Sequence, residues 1–238
     1  RTPGLAWQGI IHESVSAWIA ERKVRVGDVD ADVVHLGHVA EVRAARGKED
    51  RNLRLLRRRC ALEPRNVTPL GDLALELVGL GERREAAELV ERGWEMLDEQ
   101  PRDRSILRLA VARGLVALRE LDPARILETA ERGMARDGPQ PDLLHLRGRA
   151  LGLLALASAG RRREALLAEA AESHERALAF ERADAVRQFV AGASSWASWI
   201  AIGTVRIQQG DPSAALEAAD RALAAAPHEA DARLLRAE

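Results

Sequence analysis

Tyrosine is absent from this chain, phenylalanine occurs twice, and aromatic residues make up only 3% of it. Without aromatics interleaved among its cations, the sequence lacks the stacking platforms that single-stranded nucleic acid uses. Cys60 is the sole cysteine, which excludes an internal disulfide and fits a reducing compartment. Net charge is scarce too, at −1, so whole-chain electrostatics favour neither nucleic acid nor an anionic membrane. No apolar run approaches the roughly 20 residues a membrane helix needs, and Leu151–Ala159 reads as a buried helix. No secretory leader pattern opens the sequence, so the expected location is the cytoplasm. The first residue is Arg1, which suggests a piece of a longer protein. Sustained alternation of apolar and polar residues rich in Val, Ile and Thr is missing, and with it any strand signal.

What remains is helix-forming. Ala, Leu, Glu and Arg dominate, and 47% of residues are apolar against 31% charged. A repeat organises them. When residues 33–66 are placed over 67–100, Gly47 meets Gly81, Leu56 meets Val90, and Leu36, Val39 and Ala40 meet Leu70, Leu73 and Ala74. Each block reads as a helix, a short turn at glycine, and a second helix. Gly47, Gly81, Leu121, Gly160 and Gly210 mark successive turns, at steps of 34, 40, 39 and 50 residues. Asp122-Pro123 repeats as Asp211-Pro212. The last block carries Trp199, Gly203, Ala215, Ala222-Leu223 and Pro227.

This pattern resembles the tetratricopeptide repeat family, in which a large residue and a glycine lie on the first helix. A small residue on the second helix lets the backbones approach, and an Ala-Leu step with a proline closes the unit. The resemblance implies an all-α, right-handed solenoid of stacked antiparallel hairpins, with about five repeats and terminal capping helices. The expected repeats lie near 33–66, 67–100, 107–140, 146–179 and 196–229. A partial or capping helix follows at 230–238. Residues 1–32 form an N-terminal helix or cap, since Trp7, Ile10, Ile11, Val15, Trp18 and Ile19 share a face over 5–23. A hairpin this short cannot bury its apolar face alone, so stacking builds the core and leaves a concave groove lined by first helices.

The register places Val34, Leu75, Val78, Val111, Leu115, Leu118, Ile200, Thr204 and Ile207 in that groove. These residues are mostly apolar, which does not suit the carboxylate-gripping branch of the family. They suit an amphipathic helix or an extended apolar peptide. The expected function is therefore a protein-interaction or scaffold module, serving as a docking or sensor part of a larger bacterial protein. Its partner would be a protein or peptide, another domain of the same chain, or a second copy. The alternative is an anion- or nucleic-acid-binding regulator using the arginine-rich helix 51–59, with Arg51, Arg54 and Arg58 as its patch. Balanced charge disfavours nucleic acid.

Other constellations are weaker. Asp32, His35 and His38 have the spacing for one helical side, but repeat register explains them without a metal. Cys60 lies among arginines that would lower its pKa, yet no base accompanies it, so an inert thiol is expected. The nucleophile-elbow, phosphate-loop, dinucleotide and zinc-protease motifs are all missing. No enzyme, cofactor or metal is expected.

Overall fold

The computed structural model describes residues 4–5, 9–11, 15–27, 48–102, 104–180 and 188–237. Among these, eleven α-helices form and no strand does. They are α1 (Ser16–Arg22), α2 (Lys48–Leu62), α3 (Val67–Leu80), α4 (Arg83–Glu95), α5 (Leu107–Arg119) and α6 (Pro123–Asp137). Then come α7 (Pro141–Leu156), α8 (Gly160–Leu178), α9 (Trp196–Gln209), α10 (Pro212–Ala225) and α11 (Ala230–Ala237). The pairs α3/α4, α5/α6, α7/α8 and α9/α10 are hairpins, and each packs on the next. The chain is thus an all-α solenoid. From Leu107 to Pro141, and from Trp196 to Ala230, first helices start 34 residues apart; from Val67 to Leu107 the step is 40, and from Pro141 to Trp196 it is 55.

Local chemistry sets these boundaries. Asp122 and Asp211 each cap a helix, accepting from the backbone N–H of Arg125 and Ala214, with proline at the first helical position behind them. Asn66 caps α3 through Thr68 N–H. Pro141 fixes the start of α7, five residues before the repeat expected at 146. The turns expected at Gly81, Leu121, Gly160 and Gly210 all have positive φ, at 83°, 54°, 55° and 78°. Only Leu121 among them has a Cβ that resists this conformation. Its side chain is 70% exposed and gains little from packing. Leu121→Gly is therefore expected to raise stability by about 0.5–1 kcal/mol, read as a higher denaturant midpoint at unchanged slope.

The N-terminal helix is shorter than its apolar spacing predicts. Residues 9–11 are not helical, and the described helix runs only over Ser16–Arg22. Gly9 at φ 119° cannot continue a helix, and Lys23 in the left-handed region ends it. The first helix of the expected 33–66 repeat falls outside the described residues, as do Trp7, Asp32, Val34, His35 and His38.

Among the described residues three apolar clusters run along the stack. The largest joins α2 to α5 through Leu56, Leu70, Leu73, Leu77, Val90 and Leu109. A second is built from Ile126, Ala130, Leu146 and Ala150, and a third from Leu151, Leu167, Ala170 and Val205. Alanines 215, 218, 219 and 222 bury the inner face of α10 and bring its backbone close to α9.

Polar cross-ties accompany the apolar core. Buried Arg113 lies 4.5 Å over the Trp94 ring, pairs with Glu91 and Glu128, and donates to Thr129. Trp94 donates its indole N–H to Glu128 at 3.1 Å. Asp72 on α3 is buried between Arg59 of α2 and Arg108 of α5. Each set of ties links one hairpin to the next, which sets their rotation as well as their spacing.

Candidate functional site: the concave face

First helices approach one another unequally. At α3–α5 the approach is closest, because a Cβ on Gly71 would stand 2.6 Å from the backbone nitrogen of Leu109. At α7–α9 the approach is looser. The space between α7, α9 and α11 is a cavity of about 370 Å³. Its walls include Leu153, Leu156, Ile200, Val205, Leu234 and Leu235, with Arg149, His174, Thr204, Gln208 and Asp231 as the polar groups.

The groove residues expected from the repeat register divide accordingly. Ile200 and Thr204 line this cavity, and Ile207 is exposed one turn beyond Thr204. Val78 and Val111 instead lie buried in the core, because the tight α3–α5 approach closes over that part of the face. Leu75, Leu115 and Leu118 are half-buried against the same clusters. Val34 lies outside the described residues.

The N-terminal ends of two first helices are also covered by the chain itself. Between α8 and α9, Phe189 reaches back to the N-terminal ends of α3 and α5, beside Val67, Thr68, Ile106 and Leu107. Arg108 covers its ring at 5.3 Å. Asp142, at the start of α7, holds this strap by accepting the backbone N–H groups of Phe189 and Val190 on one oxygen. Its other oxygen is buried without a partner among the described residues. Burial therefore pushes the Asp142 carboxyl up, against the pull of the two N–H donors.

Such an acid favours the folded state most below its unfolded pKa and loses that contribution as pH rises through the folded one. Asp142→Asn keeps the acceptor and removes the buried charge, so it should stay within about 0.5 kcal/mol of the parent at pH 7. Asp142→Leu leaves both N–H groups without their acceptor and should cost about 1–2 kcal/mol. Urea titrations of both variants check this.

Behind the cavity sits a pair of buried histidines, His145 of α7 and His174 of α8, with ring centroids 5.0 Å apart. Ser198 gives its hydroxyl proton to the carbonyl of Ala193, so its oxygen accepts from His145 Nδ1–H at 3.1 Å. Burial pushes His145 down to about 3, and Arg149 adds to the effect. Burial likewise holds His174 well below its usual value, helped by His145 and Arg149. Both rings are neutral at physiological pH. His174 Nδ1 is buried without a hydrogen-bond partner.

Arg51, Arg54 and Arg58 fall on one outer stripe of α2, exposed and without an ion pair among the described residues, whereas Arg57 is tied to Glu85 at 2.7 Å. Burial pushes the Cys60 thiol up, outweighing Arg92, so the thiol stays protonated and unreactive. Trp199 is half-buried, with the Arg221 guanidinium 4.6 Å from its ring. Among the described residues no cluster of metal-ligating side chains forms, and no helix is long and apolar enough to cross a membrane. Sequence reasoning missed the histidine pair and the Phe189 strap. Neither leaves a local signal, because each is assembled from residues roughly 30 to 120 positions apart.

No known protein-family model matches the chain, and none of the curated proteins does. Solved structures match its fold. TTC0263, a thermophilic TPR protein of Thermus thermophilus, aligns at 21% identity over 82% of this chain and 91% of its own, with a TM-score of 0.55. YrrB, described as a TPR protein with an unusual peptide-binding site, aligns at 16% identity over 94% and 97%, with a TM-score of 0.53. MamA from Desulfovibrio magneticus aligns at 15% identity over 78% and 90%, with a TM-score of 0.52. At these identities the likeness establishes a tetratricopeptide-like fold.

Proposed function

We propose that this protein is a protein-interaction scaffold that holds a peptide segment of its partner on the concave face, at the C-terminal part of the solenoid. The observation that carries this reading is the open, largely apolar cavity among the first helices α7, α9 and α11, beside exposed Leu156 and Leu234. Apolar side chains with no partner beside a concavity are the mark of a recognition surface rather than of a core. The N-terminal part of the face is closed by helix packing and by Phe189, so partner contacts concentrate near Ile200 and Thr204. The fold similarity to a TPR protein described as peptide-binding supports the same class of function. Nothing in the cavity pairs a nucleophile with a base, so a binding role is favoured over an enzymatic one.

The test is selection of binding peptides from a displayed library, followed by affinity measurement on Ile200→Arg and Thr204→Arg. Both positions can take an arginine that reaches water. At least tenfold loss on both variants is expected, and unchanged affinity on both refutes the reading. A second reading rests on the exposed arginine stripe of α2, which would bind an acidic partner. Steep loss of affinity with added salt would favour it, because charge-neutralising contacts release counterions and an apolar groove does not.

A further inference from the structure

Three first helices can be aligned on a glycine at their eighth position, Gly114 in α5, Gly148 in α7 and Gly203 in α9. In two of these, a leucine from the next first helix fills the gap. Leu146 of α7 covers Gly114, and Leu235 of α11 covers Gly203. The residue of α9 that corresponds to Leu146 and Leu235 is Ala201. It is too short to span the gap, so the His174 ring moves against Gly148 instead, and the cavity opens beside it.

One turn further along α7, Gly152 also lines the cavity, and a Cβ there would meet nothing within 4 Å. A glycine inside a helix costs roughly 0.5–1 kcal/mol relative to alanine, and no neighbour requires this one. The other helical glycine of the described residues with such space and an ordinary φ is Gly79, in the last turn of α3. Gly152 keeps the cavity open at a cost to its own helix.

Two polar atoms of the lining residues lack partners among the described residues. His174 Nδ1 and Gln208 Oε1 are both buried without hydrogen-bond partners. Arg149 of α7 and Asp231 of α11 sense each other electrostatically, yet no ion pair joins them. The cavity therefore offers a cation on one wall, an anion on the opposite wall, and leucines between.

We propose that this cavity is an anchor pocket for one bulky aliphatic side chain of an extended peptide whose residues two before and two after carry opposite charges. In an extended segment, residues two apart point to the same side. A side chain seated against Leu153, Ile200 and Leu235 thus sends its second neighbours toward Arg149 and Asp231, the acidic one to the arginine. The main-chain N–H groups of an extended segment are free to donate to the Gln208 side chain, which borders the cavity and can turn toward it, whereas those inside a helix are already used. A single charge of either sign would satisfy one wall and be repelled by the other. The inference rests on the scaffold reading above and specifies its ligand.

The test is titration of the isotope-labelled protein with five end-blocked pentapeptides, followed by backbone amide NMR. Two have the order glutamate-alanine-leucine-alanine-lysine and its reverse. Two carry glutamate, or lysine, at both ends, and one has alanine in place of the central leucine. One mixed-charge order should bind at least threefold more tightly than either like-charge peptide, shifting Gly152, Thr204 and Gln208. The alanine-centred peptide should bind weakest. Gly152→Leu should abolish the shifts while raising thermal stability, which separates a filled pocket from a damaged fold. Arg149→Glu combined with Asp231→Lys should transfer the preference to the opposite order. Equal binding of mixed- and like-charge peptides, or shifts that survive Gly152→Leu, would overturn the proposal. So would binding elsewhere on the concave face, which would still leave the scaffold reading standing. The displayed-library selection decides that reading separately.

Discussion

Lowering the pH from 7.5 to 5 is expected to remove about 2 kcal/mol of folding stability through buried His145, with a further loss through buried His174. Both are held below the usual histidine value in the folded state, His145 at about 3, while the unfolded chain binds protons normally. A base with a depressed folded pKa leaves the unfolded state with more protons throughout the interval between the two values. Stability is therefore full above the unfolded pKa, about 6.5, and is lost as pH falls below it. The window suits the measurement. Glu63 and Glu85 are both held below the ordinary glutamate range, so their contributions are lost only at lower pH, and Asp142 acts in the opposite direction. Chemical denaturation at the two pH values should show the full loss in the parent protein and most of it abolished in His145→Gln/His174→Gln. An equal pH dependence in both proteins would mean that the rings are not buried neutral.

Replacing one glycine with alanine should give opposite results in two first helices. Gly71→Ala is expected to destabilise by about 3 kcal/mol, because the new methyl group meets the backbone of Leu109 at 2.6 Å. Backbone cannot rotate away as a side chain can, so α3 and α5 must separate and the core between them must loosen. Gly152→Ala meets nothing and should stabilise by about 0.5–1 kcal/mol through helix propensity. The same substitution thus reports a packed interface in one helix and an open one in the other. Thermal melts of both variants suffice. Equal effects would contradict the unequal approach of first helices that creates the cavity.

Gly71 and Gly152 also show what the sequence makes legible. Both stand in apolar helical patterns, and nothing local separates a glycine that admits a neighbouring backbone from one that leaves a void. The difference arises in the next first helix, where Leu109 lies against Gly71 while short Ala201 leaves Gly152 facing the cavity. Helix ends were easier to read. Asp-Pro caps and the turn positions at Gly81, Leu121, Gly160 and Gly210 act through their own backbones, so their signals are local. Groove assignment was intermediate. Ile200 and Thr204 line the cavity, whereas Val111, assigned to the same groove, is buried, because exposure on a first helix depends on how closely its neighbour packs. The Phe189 strap depends on Asp142, 47 residues earlier in the chain, and no periodicity announces such a contact.

These observations converge on one stretch of the molecule, the concave face formed by α7, α9 and α11. The most direct test is to map the footprint of a library-selected peptide by backbone amide hydrogen exchange with and without the ligand. Slowed exchange concentrated in α7, α9 and α11 is predicted. Protection confined to α2 and its exposed arginines would contradict the account.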